Sequence, residues 1–127
     1  MSAEDRDLRR FLAGQVAACD LPHREHVRMA FATLHRHEFD EALLLFCRAL
    51  RALTANAGRP QAFNLTVTLA FLALIAERME ADGEDFGAFA DRNADLFDKN
   101  LLARWYRPER LSCALARRIF LLPDPLD

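Results

Sequence analysis

A chain of 127 residues, 52% of them apolar, can bury one hydrophobic core without disulfides or a structural metal. It is too short for two domains, so a single domain over residues 1–127 is expected. Ala and Leu supply 43 residues while Val, Ile and Thr supply nine. That ratio excludes a sheet protein, because strands draw on β-branched side chains and helices on Ala, Leu, Arg and Glu. With 17 basic residues against 19 acidic ones and a net charge of −2, there is no basic excess to condense on phosphates or anionic lipid, and neither nucleic acid nor a membrane is an expected partner.

The elements follow from apolar spacing and punctuation. Ser2 followed by Asp5 reads as a helix cap with an acidic third residue, and Leu8, Phe11, Leu12 and Val16 recur at helical spacing, which predicts a first helix from Ala3 to Ala18. Asp20-Leu21-Pro22 breaks it, and Pro22 suits the start of the next. A second helix, His23 to Arg36, carries the stripe Val27, Ala30, Phe31 and Leu34. The third begins at Phe39-Asp40-Glu41 with Asp40 as its cap. Its buried face is Leu43, Phe46, Cys47, Leu50 and Leu53, and Gly58 and Pro60 end it as a left-handed cap and a breaker.

Asn64 then caps a fourth helix that is apolar all round from Leu65 to Ala76 and runs on to a stop at Asp82-Gly83. A helix of this kind is surrounded by others, so it is predicted to be the central element of a compact all-α bundle of about five to seven helices. At twelve residues with two threonines inside, the run is well short of the ~20 that a membrane span needs. Beyond Gly83 the elements shorten. Phe86 and Phe89 lie on a short helix, Asn93 to Asp95 turn, and Leu101, Leu102, Trp105 and Tyr106 precede a turn at Pro108. Ser112 caps a last helix carrying Leu115, Ile119 and Phe120 before Pro123-Asp124-Pro125 ends the fold. No period of about 20 to 50 residues repeats, which excludes a solenoid.

Cys19, Cys47 and Cys113 are odd in number and fit neither a zinc ribbon nor a CxxC pair, so they read as reduced structural thiols. The N-terminal stretch has neither the basic nor the apolar region of a signal peptide, and a cytoplasmic location is expected.

Chemistry concentrates in the second helix, which holds or borders all four histidines. On a wheel of about 100° per residue, His23 falls inside the apolar stripe, His26 and His37 on one edge and His35 on the opposite edge. His23 and His26 are three apart and can converge on one point, whereas His37 lies about 16 Å further along the axis. A His-x-x-His pair supplies two imidazoles to a divalent transition metal but needs a further protein ligand. Glu25 points away from the face the pair shares, so this is not the His-Glu-x-x-His arrangement of metalloproteases. The bland alternative is a packed His23 donating to a backbone carbonyl beside a half-exposed His26.

Asn64 and Thr68 share a face at the start of the fourth helix, and Thr66 projects from nearly the opposite side. Capping explains Asn64, and hydroxyls bonding back to carbonyls one turn earlier explain the threonines. If helices two apart in the chain run parallel, His23, His26, Asn64 and Thr68 can line one pocket. Trp105-Tyr106-Arg107-Pro108-Glu109-Arg110 is either a packed corner with Tyr106 hydrogen-bonded or the wall of that pocket. The four glycines are ungrouped and the two serines sit in no nucleophile elbow, which argues against a phosphate loop and a serine hydrolase.

Four stretches, Pro22 to Ala30, Phe63 to Thr68, Leu101 to Tyr106 and Arg117 to Asp124, resemble a family of small, all-helical, largely uncharacterised bacterial proteins. That family has a His-x-x-His helix start and an Asn/His-x-Thr-x-Thr central helix. Its pattern keeps histidines matching His23 and His26 and often has a third where this chain has Asn64. The resemblance implies a helical fold and a polar or metal site at these positions. Asn64 in place of a histidine weakens the metal set.

Two functional expectations result. The first is a protein with a polar, histidine-lined pocket, working on a small molecule as a metal-dependent or acid/base enzyme. There His23 and His26 are the catalytic or metal-binding residues, and Asn64, Thr68 and Tyr106 contact the substrate. The second is a non-catalytic interaction module or accessory subunit, a homo-oligomer joined through the surface around Trp105 and the C-terminal helix.

Overall fold

The computed structural model describes residues 2–80 and 83–125. Among them are seven α-helices, four short 3-10 turns and no strand, the all-α architecture expected from the Ala and Leu content.

Helix α1 spans Ala3–Leu12 and opens on a capping box in which Ser2 and Asp5 bond each other's backbone N–H groups. It ends six residues before the predicted Ala18. At Gly14 the backbone turns left-handed (φ +73°), the Gly14 N–H bonds the Phe11 carbonyl and the Gln15 N–H bonds the Arg10 carbonyl. This is a Schellman stop, so Val16 packs on the core from beyond the helix. A 3-10 turn at Ala18–Asp20 leads to α2, His23–Arg36, whose bounds match the prediction. Its buried set includes Met29 and Thr33 besides Val27, Ala30 and Phe31, because α2 is covered by α1 on one flank and by the following two long helices on the other.

Helix α3 spans Phe39–Asn56 with Glu38, not Asp40, at the cap position. Asp40 instead accepts from the Glu41 N–H. Its end repeats the device of α1: Gly58 is left-handed, and Gly58 and Arg59 donate to Ala55 and Thr54. After a 3-10 turn at Pro60–Ala62, Asn64 caps α4, Leu65–Arg78, by accepting from the Val67 N–H. No residue from Leu65 to Ala76 is exposed, as a central helix requires. The helix gives way at Met79, short of the predicted stop, of which Asp82 lies outside the described residues. Among the described residues no helix is long and apolar enough to cross a membrane.

Helix α5, Phe86–Arg92, is capped by Asp85. Phe89 of this helix meets Phe31 of α2 with ring centroids 4.8 Å apart. Two 3-10 turns, Ala94–Phe97 and Leu101–Arg104, bring the chain to α6, Pro108–Ser112, and α7, Ala114–Arg118. The single last helix expected from Ser112 is thus two, with Cys113 at the junction as cap of α7. Ala116 is its buried residue, whereas Leu115 and Ile119 face outward.

From Ile119 the chain runs back as a strap over α4. Thr66 Oγ1 donates to the Ile119 carbonyl (2.8 Å) and accepts from the Leu121 N–H (3.1 Å). Tyr106 donates its hydroxyl to the Leu121 carbonyl, and the Asp124 N–H bonds the Trp105 carbonyl. The expected back-bond one turn up the helix holds for Thr68, which donates to the Asn64 carbonyl at 2.8 Å. Thr66, facing the other way, is instead the polar anchor of the strap.

Candidate functional site

The start of α2 is set by Pro22, whose extended backbone (ψ 170°) delivers a carbonyl that accepts from both the Glu25 and the His26 N–H groups. His23 and His26 are thereby placed on one face of the first turn, three residues apart. Both line a half-open cavity of about 140 Å³ between α2, α3 and α4. Thr68 and Lys99 are its other polar residues. The remaining eight, among them Phe46, Leu50, Phe71 and Ile75, are apolar. The site is therefore an apolar chamber with a polar margin rather than the polar pocket expected.

His23 donates its Nε2–H to the Leu96 carbonyl at 2.9 Å and sets its ring edge-on to Phe71, 5.3 Å between centroids. A carbonyl partner requires the proton on Nε2, so Nδ1 of the neutral ring is an acceptor. Burial pushes the His26 pKa below its ordinary 6.5, the neighbouring His23 lowers it further, and a hydrogen bond to the Leu21 backbone opposes both. His26 is thus held neutral at pH 7, with a lone pair for a ligand proton.

Thr68 uses its hydroxyl hydrogen on Asn64 and keeps lone pairs as acceptors. Lys99 stands exposed between the two 3-10 turns, and among the described residues no hydrogen bond or ion pair engages it. It is the sole lysine beside 16 arginines. That singularity in the composition was the signal for a residue that motif reasoning passed over.

The structure brings His23, His26 and Thr68 to the wall of one cavity, while the side chains of Asn64 and Tyr106 are engaged elsewhere. Neither lines the cavity. Asn64 has both ends of its amide engaged, Oδ1 by the Val67 N–H at 3.0 Å and Nδ2 by the Leu111 carbonyl at 2.7 Å. Tyr106 is buried under the strap, where burial raises the pKa of its phenol. Both belong to the structural reading of their segments, capping in one and a packed corner in the other.

The described donor set does not by itself complete a metal centre. Among the described residues no group of three or more His, Cys, Asp or Glu side chains is placed to hold an ion, whereas a tetrahedral transition-metal site takes at least three protein ligands. One ring nitrogen of His23 is committed to a carbonyl, an arrangement metal-bound histidines share, but among the described residues no third ligand joins the pair. The three cysteines are free, and burial raises the pKa of the Cys47 thiol, the opposite of what a nucleophile or ligand needs.

Compared with protein-family models, curated proteins and solved structures, the chain matches none.

Proposed function

We propose that this protein binds a small, largely apolar molecule in the chamber between α2, α3 and α4, with His26 as the group that accepts or returns a proton. The observation that carries the reading is the coincidence of two imidazoles and the start of α4 on the wall of one cavity. Packing alone is served by apolar side chains at such positions. A neutral His26 suits acid/base work near neutral pH, and three free thiols suit a reducing, cytoplasmic setting.

A cavity of about 140 Å³ matches the volume of about 150 Å³ at which an engineered apolar cavity takes up benzene. Benzene is therefore the probe. In benzene-saturated buffer the wild-type melting temperature rises, since a ligand that binds only the folded state stabilises it. Val67→Phe, which fills the chamber from its wall, abolishes the rise. Absence of a benzene response in the folded wild-type protein refutes the proposal.

A specific observation supports a second reading, self-association. Among the described residues, four of the six exposed large apolar ones, Trp105, Leu115, Ile119 and Leu122, belong to the C-terminal segment, and Leu122 is 70% exposed. Such a surface suits a homodimer contact. Sedimentation at micromolar concentration tests it, and a clean monomer refutes it.

A further inference from the structure

We infer that the ligand of the chamber is a small aromatic or six-carbon monocarboxylate, its apolar body inside and its carboxylate at Lys99. The inference rests on the pocket reading above and adds the chemical class of the ligand.

Size limits the body. A chamber of about 140 Å³ accommodates a benzene-sized group, and Phe46, Leu50, Phe71 and Ile75 supply its apolar contacts. Charge selects the head. Among the described residues the lining contains one with a fixed charge, Lys99, and no Asp or Glu. An amine would meet a like charge there with nothing to balance it. A carboxylate meets a cation that has no partner among the described residues, although seven arginine–carboxylate ion pairs are formed among those residues. Asp98, Lys99's neighbour in sequence, has a carboxylate oxygen turned to the Asn100 N–H instead.

The histidines agree with a singly charged head. His23 Nε2 is committed to Leu96, and burial together with the neighbouring His23 lowers the His26 pKa. With the His26 pKa lowered, the fixed positive charge among the described lining residues is that of Lys99 alone, fewer than the two or more that a phosphate monoester calls for. An ammonium at an exposed margin discriminates modestly, about fivefold, as partly solvated ion pairs do.

Amide NMR titrations of the full chain at pH 7.5 with benzoate, benzyl alcohol and benzylamine test the inference, using wild type, Lys99→Met and Lys99→Arg. Benzoate is expected to bind about fivefold more tightly than benzyl alcohol and to shift the amides of Val27, Ala30 and Val67. Benzylamine is expected to bind most weakly. Lys99→Met should erase the preference for benzoate while leaving benzyl alcohol unchanged, and Lys99→Arg should retain it. Lys99 is exposed, so neither variant disturbs the core. If benzyl alcohol or benzylamine binds wild type as tightly as benzoate, or if the preference survives in Lys99→Met, the carboxylate assignment is overturned and the pocket stands. If none of the three shifts the chamber amides, the pocket reading falls and the inference with it.

Discussion

Replacing Thr66 with valine keeps the shape of the side chain and removes the hydroxyl that ties the C-terminal strap to α4. In the native fold that hydroxyl, wholly buried, donates to Ile119 and accepts from Leu121. Two hydrogen bonds at about 0.5–1.5 kcal/mol each amount to about 1–3 kcal/mol, and a backbone group left buried and unpaired adds to this. Ile119 is 42% exposed, so the strap can lift to let water reach the freed groups, which holds the expected loss to about 2–4 kcal/mol.

At this chain length each kcal/mol lowers the melting temperature by about 4 °C, so a fall of about 8–16 °C is expected. Thr68→Val is the control. Its hydroxyl bonds the Asn64 carbonyl, which also accepts the Thr68 N–H, so nothing is left unpaired and the loss should stay near 1 kcal/mol or below. Urea unfolding followed by circular dichroism and by the fluorescence of Trp105, the sole tryptophan, reads both variants. Trp105 is joined to the strap at Asp124 and reports on its detachment. A Thr66→Val loss within about 0.5 kcal/mol of wild type, or equal to that of Thr68→Val, would refute the assignment of Thr66 as the anchor.

The two left-handed helix stops should separate in the same assay. Gly14 and Gly58 share φ +73°, but a Cβ at Gly14 meets the Ala52 Cβ at 3.2 Å while one at Gly58 meets nothing within 4 Å. Gly58→Ala is therefore expected to lose about 1–2 kcal/mol from backbone conformation alone and Gly14→Ala clearly more. Equal losses would mean that the contact with α3 is immaterial. The His26 ring should titrate below 6.5 by NMR, and His23→Gln, which removes the neighbouring charge, should raise its midpoint. Because the folded value is depressed, the stability that neutral His26 confers is complete above the unfolded value near 6.5 and is lost as pH falls from there through the folded value, where the unfolded chain takes up the proton first. Urea midpoints at pH 7.5 and 5.5 should differ less in His26→Gln than in wild type. An unchanged difference would remove His26 from the acid response.

Local signals in the chain determined much of the helical framework. Pro22 and the stripe from Val27 to Leu34 specify α2 to the residue, Asn64 marks the start of α4, and Gly58 the end of α3, because caps, breakers and a 3.6-residue period act over a few positions. Gly14 carried the same stop signal as Gly58 and was masked by Val16, whose spacing continued the helical pattern beyond it. The proximity of His23 to His26 was likewise legible, since three residues on a helix always share a face.

What lies across the chain was decided by the tertiary structure alone. Thr66 and Thr68 look alike in sequence, yet one holds the strap and the other lines the chamber, because opposite sides of α4 meet different neighbours. Asn64 and Tyr106 found hydrogen-bond partners in Leu111 and Leu121, 47 and 15 residues away, and neither lines the cavity. Lys99, which no local pattern joins to His23 or His26, came to the same cavity through the contacts of its two flanking 3-10 turns with α2 and α4. Sequence periodicity says which face a residue takes; only the assembled bundle says what stands opposite it.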